Sequence, residues 1–169
     1  MKVIIILFLS ILLYTCGGNA SNLSVGDKAP NFTLSDYQNK SYTLSDYFGK
    51  SPVVIYFYPK ANTSGCTKQA CGIRDSYESF ESNEIVIIGI SVDPISDIKE
   101  FVKDHNLNFP LLSDQSKEIS NKYEVLNKIG MSSRVTFIVD KEGKLSHIIR
   151  DVDVDTHASQ VFELASKLL

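Results

Sequence analysis

The sequence lacks the features that point to several large classes of protein. Its 17 lysines and arginines stand against 20 aspartates and glutamates, so there is no basic excess of the kind that nucleic-acid-binding surfaces need. It contains no long low-complexity run and no internal repeat, which argues against a disordered chain and against a repeat array. We therefore expect a globular protein that has no nucleic acid among its partners.

The chain also lacks any long hydrophobic run. Its longest apolar stretch, Val3 to Leu13 after Met1 and Lys2, is too short to span a bilayer comfortably. A charged start followed by a short apolar core is typical of a secretory signal. We interpret residues 1–15 as a signal peptide and expect the protein to be exported.

The residues after that core resemble a lipoprotein signal-peptidase site, in which Cys16 would become the lipid-bearing first residue. Leu13 fits the pattern, whereas Tyr14 is bulky and Thr15 replaces the usual small residue before the cysteine. Residues 16–23 would then be a lipidated cysteine and a flexible tether, and residues 24–169 one domain long enough for a full hydrophobic core. Cleaved soluble export and an uncleaved membrane anchor stay open as alternatives. All three interpretations place the domain outside the cytoplasm. The lipoprotein interpretation also attaches it to a membrane through the lipid on Cys16.

Cysteine is scarce, with three residues in the whole chain. If Cys16 carries lipid, the folded domain holds only Cys66 and Cys71, an even pair in a compartment that permits disulfides.

The surroundings of Cys66 favour a reactive sulfur. The apolar run Val53–Tyr58 predicts a buried strand that ends at Pro59, because proline cannot donate to a sheet ladder. Apolar residues then recur at helical spacing from Cys66 to Phe80, which predicts a helix with Cys66 in its first turn. The free N–H groups and partial positive charge at a helix start favour a thiolate over a thiol, and the thiolate is the nucleophile.

Cys71 lies five residues further along the same helix. In a regular helix the two Cα atoms would be roughly 8–9 Å apart, beyond the roughly 7 Å limit for a disulfide. Either the two sulfurs never pair, or the first turn unwinds when they do. We interpret the pattern as redox catalysis by Cys66, with a buried structural cysteine and an unrelated neighbour as the alternative.

The remaining elements predict an α/β fold. Strands alternate with helices and end in a hairpin, an order that fits a thioredoxin-like three-layer sandwich with an N-terminal β-hairpin. The predicted elements are an edge hairpin of 32–34 and 41–44, a helical turn at 45–49, core strands at 53–58 and 85–92, a helix from Ile95 to about His105, a surface return at 106–112, a short helix at 113–123, a closing hairpin of 135–139 and 144–149, and a last helix capped by Thr156.

From about Leu23 to Leu169 the chain resembles a peroxiredoxin of the bacterioferritin-comigratory, or Q, type. The proline, threonine and cysteine at positions 59, 63 and 66 form a specific arrangement, and a cysteine five residues later is typical of this subtype. The segments that carry the resemblance are Gly26–Leu34, Tyr56–Asp75, Gly89–Asp93, Phe109–Asp114 and Arg134–Asp140.

The resemblance implies a role for each site residue. Cys66 would be the peroxidatic cysteine and Cys71 the resolving one. Thr63 would hydrogen-bond the thiolate and the peroxide, Arg134 would keep the thiolate charged and polarise the peroxide, and Pro59 would shield the pocket from water. Gln69 and Arg74 fit the family pattern and are interpreted as structural support. Two features depart from it: Ser64 stands where many members have proline, and most relatives lack an export signal.

The chemistry of the residues agrees with these roles. Attack on an O–O bond needs a thiolate and donors placed where charge develops. Arg134 immediately precedes a predicted core strand, so its fixed charge could reach the start of the cysteine helix; the alternative is a surface arginine. Thr63 could instead be a helix cap.

The resemblance also implies a cycle and its partners. Hydrogen peroxide or an organic hydroperoxide would oxidise Cys66 to a sulfenic acid, Cys71 would condense with it, and a thioredoxin-type dithiol protein would reduce the resulting disulfide. No metal or other cofactor would be required, and the protein would be a monomer.

Two other functions are compatible with parts of the pattern. An exported thiol–disulfide oxidoreductase shares the fold but uses Cys-x-x-Cys and a proline before the strand threonine, where this chain has Val135 before Thr136. A copper-binding protein of the Sco type needs closer cysteines and a facing histidine. His147 would be the candidate, although His105, His147 and His157 are each more typical of solvated polar residues.

Overall fold

The structure, a computed structural model, describes residues 23–169. The predicted signal peptide, Cys16 and nearly all of the tether lie outside the described residues. Within residues 23–169, the helices are all too short or too polar to cross a membrane.

A five-stranded mixed sheet forms the centre of the molecule. Its strands are Val53–Phe57 (β3), Val86–Ser91 (β4), Leu111–Ser113 (β5), Val135–Val139 (β6) and Leu145–Ile149 (β7). They lie in the order β5, β4, β3, β6, β7; β3, β4 and β5 are parallel to one another, β6 is antiparallel to β3, and β7 is antiparallel to β6. All five residues of β3 and of β6 are buried, as expected for central strands that are covered on both faces.

Side chains of β3 alternate between two separate cores because successive residues of a strand point to opposite faces. Val54 and Tyr56 enter one core, and Val53, Ile55 and Phe57 enter the other. The sheet is therefore the middle layer of the predicted three-layer sandwich.

Three helices cover the first face. They are α1 (Ser64–Ser82), α2 (Ile95–Asp104) and α4 (His157–Ser166), whereas the short α3 (Glu118–Lys122) contributes to the second face. The helices α1 and α4 pack closely, and a Cβ atom added at Gly72 of α1 would lie 3.9 Å from that of Ala158 in α4. Helix α1, which carries both cysteines, is thus supported by the sheet and by α4.

The N-terminal hairpin and a 3₁₀ turn cover much of the second face. Strands β1 (Thr33–Ser35) and β2 (Ser41–Thr43) pair antiparallel, and the turn spans Leu44–Tyr47. The hairpin forms a two-stranded sheet of its own, which corrects the expectation of strands at the edge of the main sheet.

Gly89 in β4 allows a close approach that matters for the site. A Cβ atom at this position would lie 2.7 Å from the Tyr56 ring and 2.4 Å from Leu111. Because glycine has no side chain here, the Tyr56 ring can lie across the neighbouring strand, in the core that also contains Cys66.

Two other expectations need correction. The segment 106–112 does not simply return along the surface, because Leu107 and Phe109 are buried and Leu111 begins β5. Thr156 stands at the N-cap of α4, but its side chain makes no capping hydrogen bond.

Candidate active site

Cys66 lies in the first turn of α1, as predicted. The helix begins at Ser64, and the amide of Thr67 makes the first helical hydrogen bond, 2.8 Å from the carbonyl oxygen of Thr63. The N–H groups of residues 64–66 have no carbonyl within the helix to bond. Cys66 is only 2% exposed, so its side chain is buried at the positive end of the helix.

Arg134, the residue before β6, contacts this sulfur. Its Nη2 donates to Sγ of Cys66 over 3.3 Å. The topology explains the contact: Val135 pairs with Phe57, so Arg134 lies just beyond the pairing at the end of β3 from which the chain enters α1. The predicted proximity of Arg134 to the cysteine helix is therefore present.

A second contact fixes the other side of the guanidinium. Nη1 of Arg134 donates to Oε1 of Gln69, which is buried one turn after Cys66 in the same helix. The amide nitrogen Nε2 of Gln69 lies 3.1 Å from Nδ1 of His157, and Nε2 of His157 lies 2.8 Å from the hydroxyl of Thr136. A continuous row of polar contacts thus runs from the sulfur into the core.

His157 contradicts its predicted environment. It is fully buried instead of solvated, and burial together with the nearby charge of Arg134 lowers its pKa to about 4. A signal for this existed, because position 157 lies four residues before Val161 and eight before Ala165, on the buried stripe of α4. The other two histidines are partly exposed: His105 contacts Asn62, and His147 contacts Ser146.

The structure places Thr63 and Pro59 shortly before the cysteine helix. The exposed Thr63 occupies the N-cap position of α1, but its hydroxyl donates to the carbonyl oxygen of Lys60 over 3.0 Å, so it neither caps the helix nor makes the expected hydrogen bond to the Cys66 sulfur. Pro59 is half-buried and follows directly after the buried Tyr58. Both residues belong to the loop that joins β3 to α1.

Asp93 holds this loop in place, a role that the sequence did not indicate. Its carboxylate accepts hydrogen bonds from the amide of Ala61, at 2.8 Å, and from the hydroxyl of Ser91, at 2.9 Å. Asn62 adds a contact of 3.2 Å to His105 at the end of α2 and adopts a left-handed φ of 57°. The loop before Cys66 is therefore tied to the ends of β4 and α2.

Cys71 is half-buried in the third turn of α1, and both cysteines are free. Because the helix is continuous through both positions, their Cα atoms are roughly 8–9 Å apart and the sulfurs cannot bond in this state. This arrangement is the one that the sequence predicts for the reduced protein.

A surface cavity of about 530 Å³ lies elsewhere. It is lined by residues of the N-terminal hairpin, the end of α1 and the segment before β5, including Tyr42, Tyr77 and Phe109. Neither cysteine lines it, nor does Arg134. The polar row around Cys66 therefore marks the candidate site better than cavity size does.

Comparison with known proteins identifies the family. Residues 25–148 match the AhpC/TSA family. The chain is 34% identical over 142 residues to peroxiredoxin Bcp of Escherichia coli, covering 80% of this chain and 90% of that protein. It is 38% identical over 149 residues to the chloroplastic peroxiredoxin Q of Oryza sativa subsp. japonica, covering 86% of this chain and 68% of that protein.

Solved structures show the same likeness. Peroxidoxin BcpB of Mycobacterium tuberculosis superposes with a TM-score of 0.79 at 29% identity, covering 87% of this chain and 99% of that one. The bacterioferritin comigratory protein of Xanthomonas campestris, solved in a study of its alkyl peroxide reduction, gives 0.77 at 26% identity, covering 88% of this chain and 99% of that one. The predicted thioredoxin-like fold is thereby confirmed.

Proposed function

The chain belongs to the AhpC/TSA family and is a peroxiredoxin, a thiol-dependent peroxidase, and from this premise we propose that Cys66 attacks the peroxide and Cys71 resolves the product. The observation that carries the assignment is the contact of 3.3 Å between the Arg134 guanidinium and the Cys66 sulfur. Arginine keeps its charge at all physiological pH values, so it favours the ionised sulfur that the attack requires.

In the first step, the Cys66 thiolate attacks one oxygen of the O–O bond. The sulfur gains an S–O bond, the O–O bond breaks, and the second oxygen leaves as alkoxide or hydroxide and takes up a proton. The guanidinium, 3.3 Å from the sulfur, would also stabilise the negative charge that develops on the leaving oxygen, and the free amides of the helix start would add further donors. Cys66 is oxidised to a sulfenic acid, and the peroxide is reduced to an alcohol or water.

Thr63 and Pro59 act at the entrance in this proposal. The Thr63 hydroxyl already donates its hydrogen to Lys60, so its lone pairs stay available to accept the hydrogen of a hydroperoxide. Pro59, which has no N–H group, presents an apolar ring beside the buried Tyr58 and limits the access of water. Their placement in the loop directly before Cys66 supports both roles.

In the second step, Cys71 displaces the sulfenic oxygen as water and forms a disulfide with Cys66. The intact helix holds the two sulfurs too far apart, so the first turns of α1 must unwind. The exposed start of the helix favours this opening, since Asn62, Thr63 and Ser64 lie at the surface. Because both sulfurs belong to one helix, a second subunit is not needed, which supports a monomer.

The partners follow from the chemistry of the disulfide. A thioredoxin-type dithiol protein would exchange with it and return both cysteines to thiols. Hydrogen peroxide and organic hydroperoxides are the proposed substrates, and the alkyl peroxide reduction activity of the similar Xanthomonas campestris protein supports the second class. Export and attachment through lipid at Cys16 remain proposals that rest on the pattern of residues 1–23.

Mass spectrometry of the protein after one equivalent of hydrogen peroxide tests the assignment. The wild type should lose two hydrogen atoms and yield a peptide linked through Cys66 and Cys71. Cys71→Ser should instead gain one oxygen atom on Cys66, and dimedone should trap it. A product oxidised first at Cys71, or a wild type that stays reduced, would refute the proposal.

A further inference from the structure

His157 takes no part in the cycle described above. Its ring is fully buried at the first position of α4, 88 residues from Gln69 and 21 from Thr136 in the chain. Both ring nitrogens are nevertheless within hydrogen-bond distance of polar side chains. Burying a polar ring is unfavourable unless its nitrogens are hydrogen-bonded. The contacts with Gln69 and Thr136 therefore make the burial possible, and they in turn fix the orientation of both partners.

The donors and acceptors in this row of contacts determine one another. Arg134 can only donate, so the oxygen of the Gln69 amide must face it. The NH₂ group of Gln69 therefore faces His157, and Nδ1 of His157 must accept. The ring hydrogen then lies on Nε2 and is donated to the hydroxyl of Thr136. The whole row is satisfied in a single arrangement.

That arrangement requires a neutral imidazole. Burial and the charge of Arg134 both lower the pKa of His157, to about 4, so the ring is neutral at physiological pH. A charged ring would place an N–H group against the NH₂ group of Gln69. The amide would have to turn, and its NH₂ group would then meet the guanidinium, which is also a donor.

We propose that His157 is a positioning residue: it orients Gln69 so that the amide oxygen holds the Arg134 guanidinium against the Cys66 sulfur. The inference rests on the proposed function, since it needs Cys66 as the attacking sulfur. Helix α4, at the C-terminal end of the chain, thereby contributes to the reaction centre through a ring that touches neither substrate nor sulfur.

A matched pair of substitutions isolates the contact with Gln69. Asparagine places a polar atom where Nδ1 of histidine lies, whereas leucine has nearly the same shape as asparagine and no polar atom. We expect His157→Leu to lower the rate constant of Cys66 with hydrogen peroxide by roughly 10-fold, by analogy with the lower end of the loss seen when a residue that orients a metal ligand is removed. His157→Asn should restore most of that rate.

A second pair keeps the test decisive if the leucine variant does not fold. Glutamine places its amide where Nε2 of histidine lies, so His157→Gln can contact Thr136 but not Gln69. We expect the glutamine variant to react more slowly than the asparagine variant. Equal rates in the two variants would overturn the inference, because a purely structural role would be served by either contact.

A double-mutant cycle then asks whether His157 acts through Gln69. In the Gln69→Leu protein, adding His157→Leu should cause no further loss of rate, because the intermediate contact is already gone. An equal loss in both backgrounds would show that His157 acts by another route and would overturn the inference. His147→Leu, which removes a ring hydrogen-bonded to Ser146 and separate from the polar row, serves as the control and should keep the wild-type rate.

The outcome also separates this inference from the function on which it rests. If wild-type Cys66 reacts rapidly but the leucine and asparagine variants do not differ, only the role of His157 fails. If wild-type Cys66 does not react with peroxide at all, the proposed function fails and the inference fails with it.

Discussion

The two cysteines of α1 lie five residues apart in one helix and have very different surroundings. Cys66 is in the first turn, almost completely buried, with a guanidinium 3.3 Å from its sulfur. Cys71 is in the third turn, half-buried, and the hydrogen bonds found among residues 23–169 include none to its sulfur. The difference teaches that two cysteines of one helix can have unequal reactivity because only one lies at the helix start beside a positive charge.

The polar row behind Cys66 strengthens this contrast. Its members come from α1, from α4, from β6 and from the residue before β6, and they converge on one side of the sheet: Arg134, Gln69, His157 and Thr136. Arg74, the arginine nearest Cys71 in the chain, is instead paired with Asp75 and donates to the carbonyl oxygen of His105. Each cysteine thus has an arginine near it. Arg134 donates to the Cys66 sulfur, whereas Arg74 donates to Asp75 and His105.

The largest expected effect comes from removing either sulfur in turn. Cys66→Ser should lower peroxide consumption by at least about 10⁴-fold, because removal of a nucleophile eliminates the covalent step. Cys71→Ser should leave the first oxidation step unchanged and abolish formation of the intramolecular disulfide. Stopped-flow kinetics with hydrogen peroxide, followed by turnover with a thioredoxin-type reductant, measures both steps. A wild-type first step in Cys66→Ser would remove the distinction between the two sulfurs.

The next largest effect is expected on the rate of the first step when Arg134 is replaced, with Arg74 as the comparison. Arg134→Met should slow the first step by about 10²–10³-fold, the cost of one donor to a developing charge. Arg134→Lys should be intermediate, since lysine keeps the charge but cannot contact the sulfur and Gln69 together. The measurement is the rate constant of Cys66 with hydrogen peroxide.

Arg74→Met is the matched control. Arg74 lies in α1, the helix that carries both cysteines, but its side chain contacts Asp75 and His105 instead of a sulfur. Its first step should match the wild type. Equal losses in the Arg74 and Arg134 variants would mean that general positive charge, and not a directed contact, activates Cys66.

These comparisons also indicate how much the sequence alone can predict. Cys66, the helix start and the strand before it follow from local patterns, and Arg134 follows because a residue that precedes a central strand lies at a known end of the sheet. The three layers and most element positions are predictable for the same reason. Each of these features depends on neighbours within a few residues or on simple topology.

The rest depends on contacts between distant residues. The spacing of His157 with Val161 and Ala165 could have indicated its burial, but no local pattern connects its ring to Gln69 and Thr136, its polar partners. The sequence indicates Asp93 only as the end of a segment that resembles the family, whereas its carboxylate accepts a hydrogen bond from the amide of Ala61. Strand β5 escapes prediction because three residues of pairing with β4 give too short a pattern to detect.

A third prediction uses pH to probe the row behind Cys66. The pKa of His157 is lowered from 6.5 to about 4 in the folded protein, so between these values the unfolded chain binds a proton that the folded chain does not. The contribution of this ring to stability is therefore fully present above pH 6.5 and is lost as the pH falls toward 4, by roughly 3 kcal/mol in total. Urea unfolding of the wild type and of His157→Asn at several pH values measures it.

The control for this effect lies in the same pair of curves. The asparagine variant has no imidazole at position 157, so its curve should lack this part of the decline. If the stability of both proteins falls equally as the pH is lowered, other groups cause the loss, and the pKa of His157 is not lowered by folding. His147→Asn should follow the wild type, since that ring is partly exposed on β7.

The smallest expected effect concerns two glycines of α1. Alanine is favoured over glycine inside a helix by up to about 1 kcal/mol, which corresponds to about fivefold in an equilibrium. Gly65 precedes Cys66 in the turn that must unwind, whereas Gly72 follows Cys71 in the part that need not. Gly65→Ala should therefore slow the condensation of Cys71 with oxidised Cys66 by up to about fivefold, and Gly72→Ala should leave it unchanged.

The two substitutions differ in one further contact, which the measurement must separate. A Cβ atom at Gly65 would lie 3.3 Å from Nη2 of Arg134, so the guanidinium must shift slightly, whereas at Gly72 the new atom meets Ala158 at an ordinary 3.9 Å. The shift affects the attack on peroxide, and helix stiffness affects the later condensation. Rapid oxidation with one equivalent of peroxide, followed by the time course of thiol loss, records the two steps separately. Equal condensation rates in both alanine variants would mean that the start of α1 does not unwind before the disulfide forms.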